Sequence, residues 1–103
     1  MTRHATEGES VLFQVYNLPK DPQAFSWYKG VDSNPYFKTV EYSKARYSML
    51  IGQSYSRREI GYLNGSLLLQ DLTEKDSGLY TLITIDSNVK VETLHVQINV
   101  HSK

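Results

Sequence analysis

With 103 residues, 40% of them hydrophobic and 12% aromatic, the chain is long enough to bury one core and reads as a single domain, residues 1–103. Eleven basic and eleven acidic residues cancel, so there is no charge footprint for nucleic acid, and no run of about 18 apolar residues could insert in a bilayer. The absence of cysteine, taken alone, favours a reducing compartment.

In chain order, Met1–Thr6 has no apolar stretch of the signal-peptide kind. Alternating residues then predict a strand from about Glu9 to Tyr16, ended by the prolines of Asn17-Leu18-Pro19-Lys20-Asp21-Pro22. Further strands are expected at Ala24–Lys29, Tyr36–Tyr42 after the turn Asp32-Ser33-Asn34-Pro35, and Arg46–Ile51. Strands at Arg58–Tyr62 and Ser66–Gln70 flank a tight turn at Asn64-Gly65. Two more follow, at Gly78–Asp86 and Val91–Val100, turning at Ser87-Asn88. No segment carries a helical period.

The segment Asp76-Ser77-Gly78-Leu79-Tyr80-Thr81-Leu82 matches the D-x-G-x-Y-x-C run of an immunoglobulin variable-type domain, with leucine in place of cysteine. Tyr80 holds the tyrosine-corner position, two residues before it. Upstream, Val15 occupies the place of the first cysteine, and Trp27, twelve residues later, that of the core tryptophan of strand C. The expected fold is therefore all-β, a variable-type (V-set) sandwich of about nine strands lacking the intersheet disulfide. In the chain-entropy model such a bridge would contribute roughly 4 kcal/mol. Contact among Val15, Leu82 and Trp27 has to offset that loss as hydrocarbon.

Arg58 opens the predicted strand D, and Asp76 sits in the E–F turn. A guanidinium grips a carboxylate with two bonds, which suits an ion pair closing one end of the sandwich; the neighbouring Arg57 competes for the same carboxylate. Alternation from inward Trp27, Tyr80 and Leu82 turns Ser26, Tyr28, Thr81, Ile83 and Ile85 outward on the G-F-C-C′ sheet, with Phe37 and Val89 extending the patch. Asn64-Gly65-Ser66 is an N-glycosylation sequon as well as a turn.

Catalysis finds little footing, and the reading is of a non-enzyme without cofactor. His4, His95 and His101 show no metal-ligand spacing, so no metal is expected, and Gly52-Gln53-Ser54-Tyr55-Ser56 lacks the closing glycine of a nucleophile elbow. Lys38, Lys44, Arg46, Arg57 and Arg58 form a candidate basic edge for a sulfated glycan, interrupted by Glu41 and Glu59.

Val15-Tyr16-Asn17-Leu18-Pro19, Ser26-Trp27-Tyr28-Lys29-Gly30, Tyr55-Ser56-Arg57-Arg58-Glu59-Ile60, Asn64-Gly65-Ser66-Leu67-Leu68-Leu69-Gln70 and Tyr80-Thr81-Leu82 together resemble the N-terminal domain of the carcinoembryonic antigen family. That family comprises the carcinoembryonic antigen-related adhesion molecules and the pregnancy-specific glycoproteins. Its N-terminal domains lack the intersheet disulfide, so the resemblance turns the missing cysteines from a cytosolic signal into a family trait. It implies an extracellular domain, secreted or at the cell surface. It also implies that the G-F-C-C′ face binds protein partners, either the same or a related immunoglobulin domain or a cell-surface receptor. Homophilic or heterophilic adhesion is the first expectation, and a secreted signalling ligand the alternative. One departure is Arg57, where the family usually has glycine.

Overall fold

Period-two alternation of apolar side chains gives the central strands one buried face, and they satisfy it by packing as two sheets around a shared core. A computed structural model describes residues 2–15, 18, 22–31 and 34–103. Among the described residues the strands are β1 (Thr2–Thr6), β2 (Val11–Phe13), β3 (Ala24–Lys29), β4 (Lys38–Ser43), β5 (Ser48–Ile51), β6 (Glu59–Gly61), β7 (Leu67–Leu69), β8 (Gly78–Ile85) and β9 (Val91–His101). One sheet has the order β1-β9-β8-β3-β4-β5 and the other β2-β7-β6. This is the expected variable-type sandwich: β3, β4, β5, β8 and β9 take the places of C, C′, C″, F and G, and β2, β6 and β7 those of B, D and E.

Three local readings change. β1 had no sequence signal, because it is polar and gains its place by pairing parallel with β9, from Thr2 beside Gln97 to Thr6 beside His101. Tyr36 and Phe37 do not begin β4; Pro35–Phe37 form a 3-10 turn. The Asn34 carboxamide oxygen accepts from Tyr36 N–H at 3.0 Å and Pro35 presets the helical φ, so local capping outcompetes the ladder. β2 stops at Phe13, leaving Val15 half-buried at the margin of the core. Tyr16, most of the following turn and Asp32-Ser33 lie outside the described residues.

At the centre Trp27 is fully buried. Its ring stacks on Phe13 with centroids 5.7 Å apart, and Phe13 in turn tilts against Tyr80 at 5.6 Å. Leu82, at the second cysteine position, is buried in the same cluster. Aromatic contacts of this kind contribute about 0.5–1.5 kcal/mol each beyond their burial, so the pair partly offsets the absent bridge. The indole N–H of Trp27 donates to the Gly65 carbonyl at 2.9 Å, which removes the penalty of a buried, unbonded donor. Gly65 can present that carbonyl because it takes φ +88, a conformation glycine adopts without strain. Asn64 does not share the positive φ; its side-chain oxygen instead accepts from Ser66 N–H at 3.0 Å.

One end of the sandwich is closed by Asp76. Both of its carboxylate oxygens accept from Arg58, at 2.7 Å each, and Oδ2 accepts also from Thr73 N–H at 2.8 Å. Asp76 is buried, and burial by itself would raise its pKa. The bonds from Arg58 and from the Thr73 backbone outweigh that and hold it below the usual carboxylate range. Asp76 also accepts the Tyr80 hydroxyl on its backbone carbonyl at 3.0 Å, forming the tyrosine corner. Arg58, not Arg57, makes this pair. Arg57 is exposed, with φ +69, so the turn keeps the conformation that glycine favours and an arginine bears the strain.

Removing the guanidinium leaves Asp76 buried without its counter-charge, so Arg58→Ala should destabilise the domain by about 3 kcal/mol in denaturant titration. Because Asp76 is depressed in the folded state, its contribution is complete above the unfolded carboxylate pKa of about 3.9 and disappears as pH falls through the lower folded value. Acid unfolding of the parent should therefore steepen below about pH 4, and in Arg58→Ala that component should be missing. Conversely, Arg57→Gly should raise stability by about 1 kcal/mol, the relief of left-handed strain exceeding the added flexibility of the unfolded chain.

Candidate interface on the six-stranded sheet

Trp27 on β3, Tyr80 and Leu82 on β8 and Val96 on β9 point into the core, so their sequence neighbours form the outer face of the six-stranded sheet. Strand register arranges them in rows. Ser26 pairs with Ile83 on one side and Glu41 on the other, and Ile83 with Thr93. The adjacent row joins Ala24, Ile85 and Val91. On the opposite side of Ser26 runs a row of Lys38, Tyr28, Thr81 and His95.

That last row depends on a bulge. Trp27 pairs with Val40 but Tyr28 with Lys38, leaving Thr39 as the extra residue, its hydroxyl bonded to the Trp27 carbonyl at 3.1 Å. The bulge sets Lys38 beside Tyr28, with Nζ 5.7 Å from the ring centroid. The same ammonium bonds Glu41 at 2.9 Å. That bond raises the Lys38 pKa, against a smaller opposing effect of burial.

The face therefore has two zones. Ile83 and Ile85 are half-buried, with exposed Val91 beside them and Val89 at the β8–β9 turn, 76% exposed. Tyr28 and Thr81 face the same way but are covered, at 8% and 1% exposure, so they frame the surface more than they present it. Thr81 donates to the Gly30 carbonyl at 2.6 Å and lies 3.0 Å from His95 Nδ1. Since its single proton goes to the carbonyl, the imidazole donates in the second contact. Ser26 is half-buried at the junction of the zones. Phe37, 41% exposed, stands off the sheet in the 3-10 turn, edge-on to Tyr36 at 5.4 Å.

The β8–β9 turn is held by one carboxylate. Asp86 Oδ1 accepts from both Asn88 N–H and Lys90 N–H at 2.9 Å, and the backbone closes with Val89 N–H to the Asp86 carbonyl at 3.0 Å. Val89 is thereby kept at φ +61, an outlier for a β-branched residue. Sequence reading found Val89 as an apolar turn residue; its strain and the exposed Val91 beside it were missed, though the alternation of β9 could have revealed Val91.

Three residues of the candidate basic edge are paired with carboxylates. Lys38 turns to Glu41, Arg46 approaches the same carboxylate at 4.0 Å, and Arg58 is committed to Asp76. Asn64 lies between β6 and β7, on the other sheet, where a glycan would leave the six-stranded face open. No helix among the described residues is long and apolar enough to cross a membrane.

The description "Immunoglobulin V-set domain" fits residues 1–101. Over 98 residues, 95% of this chain, the sequence is 65% identical to pregnancy-specific glycoprotein 22 of Mus musculus. It is 44% identical over 100 residues, 97% of the chain, to the mouse cell adhesion molecule CEACAM5. The chain spans 21% of the first relative and 11% of the second. A chain in the crystal structure of a mouse coronavirus receptor-binding domain complexed with its murine receptor superposes with a TM-score of 0.89 at 39% identity, over 96% of this chain and 50% of that one. The missing cysteines, the Arg58–Asp76 closure and these similarities converge: the chain is an immunoglobulin V-set domain of the carcinoembryonic antigen family.

Proposed function

We propose that the outer face of the six-stranded sheet binds protein partners outside the cell, either another V-set domain of this family or a cell-surface receptor. The observation that carries this is the apolar strip Ile83, Ile85, Val91 and Val89, set against the paired and covered groups of the Lys38–Tyr28–Thr81 row. Clustered apolar surface with a polar border is what a recognition patch requires, whereas scattered single residues would need no explanation. Strain at Val89 supports the same reading, since an exposed apolar side chain held in an unfavourable conformation is retained where presentation matters. The relatives are named as an adhesion molecule and a glycoprotein, and one similar chain belongs to a viral receptor complex. Adhesion is the first reading. The 65% identity to a pregnancy-specific glycoprotein favours, as the second, a secreted ligand using the same face. Neither reading calls for catalysis.

Ile83→Asp places a charge in the middle of the strip and should abolish self-association or receptor capture while leaving the melting midpoint within a few degrees. Undiminished binding by that variant would remove this face from the proposal. Val89→Gly separates stability from recognition: it should stabilise the fold by about 1 kcal/mol yet weaken binding. Ser66 is buried in the folded chain, so a transferase reading the Asn64 sequon has to act before folding is complete. N-glycosidase treatment of protein from mammalian cells should shift its mass, and Asn64→Gln should remove the shift.

A further inference from the structure

We propose that His4 and His101 form a chelating site for a divalent transition-metal ion, with zinc as the reference ligand. The two residues stand 97 positions apart in sequence, but the parallel pairing of β1 with β9 sets them on the same outward face at neighbouring registers, His4 beside Asn99 and Thr6 beside His101. His4 Nδ1 and His101 Nε2 approach to 3.4 Å. Two nitrogens bound to one tetrahedral zinc at about 2.0–2.1 Å are themselves about 3.3–3.4 Å apart, so the pair is already spaced as a bite.

Chemistry favours the same exchange. The rings are nearly parallel, 9° between planes, with centroids 5.6 Å apart, and the two near nitrogens are His4 Nδ1 and His101 Nε2. In the neutral pair a single proton can lie between them, donated by one imidazole to the other. A divalent cation takes the place of that proton once each ring carries its own on the far nitrogen, Nε2 of His4 and Nδ1 of His101. Both side chains are exposed, so a modest swing of each ring turns the two lone pairs onto one point. Among the described residues no cluster of three potential ligands forms, so the two imidazoles are the protein's contribution and water completes the shell. Imidazole suits zinc, copper and nickel, and excludes calcium and magnesium, which take oxygen ligands. A metal held here would join the edge strand β1 to β9.

Calorimetric titration of zinc chloride into the tag-free chain tests the site. The expected result is one ion per chain, with affinity at least tenfold weaker in His4→Ala and in His101→Ala. His95→Ala is the internal control, because His95 lies six residues from His101 along β9, about 20 Å at roughly 3.3 Å per residue, and should leave binding unchanged. Zinc at ten times its dissociation constant should raise the parent's melting midpoint by about 5 °C or more and raise either single variant by at most about a third as much. The proposal falls if the parent takes up no zinc, if both single variants bind as the parent does, or if His95→Ala is the change that removes binding.

Discussion

The contact between Trp27 and Phe13 joins the two sheets of a sandwich that lacks the covalent tether found in others of this kind. Everything that holds the two sheets together follows from making that contact sufficient. Trp27 belongs to the six-stranded sheet and Phe13 to the other, and the indole N–H reaches the D–E-type turn at Gly65, so one side chain joins three separate parts of the chain. Tyr80 extends the aromatic stack and ties it, through Asp76, to Arg58. The core and the ion pair are thus one connected assembly. A change at either end is felt by the tyrosine that both share.

The same assembly explains how the outer face is positioned. β3 and β8 are fixed from inside by Trp27, Tyr80 and Leu82, which dictates the direction of Ser26 and Ile83 on the outside. A bulge beside Trp27 then moves Lys38 next to Tyr28 and divides the surface into a polar frame and an apolar strip. Recognition chemistry on the surface is therefore set by packing beneath it, one residue away along each strand.

Much of this was legible because strands buried on one face write their alternation into the sequence. β3 was read at its full extent, and β8 and β9 to within a residue at their ends, each anchored by a residue with a distinctive role. Arg58 and Asp76 were legible because a charged pair at that separation has a structural use in such a sandwich. Failures came where local chemistry or distant pairing governs. Asn34 and Pro35 cap a 3-10 turn that moves Phe37 off the sheet, which apolar pattern does not reveal. Thr81 alternates outward yet is covered, because burial depends on neighbouring strands. β1 and the His4–His101 approach arise from parallel pairing of the chain's two ends, and no window of sequence contains both.

An untethered sandwich also responds differently to force. In a domain bridged between positions 15 and 82, pulling on the ends would extend only the flanking segments, the middle staying locked as a loop. Here nothing covalent stops extension once Phe13 slides off Trp27, and the whole chain can run out to about 350 Å at roughly 3.4 Å per residue. A domain that holds a partner under tension would then yield by lengthening, dissipating load within its own fold before the contact on its face is asked to break.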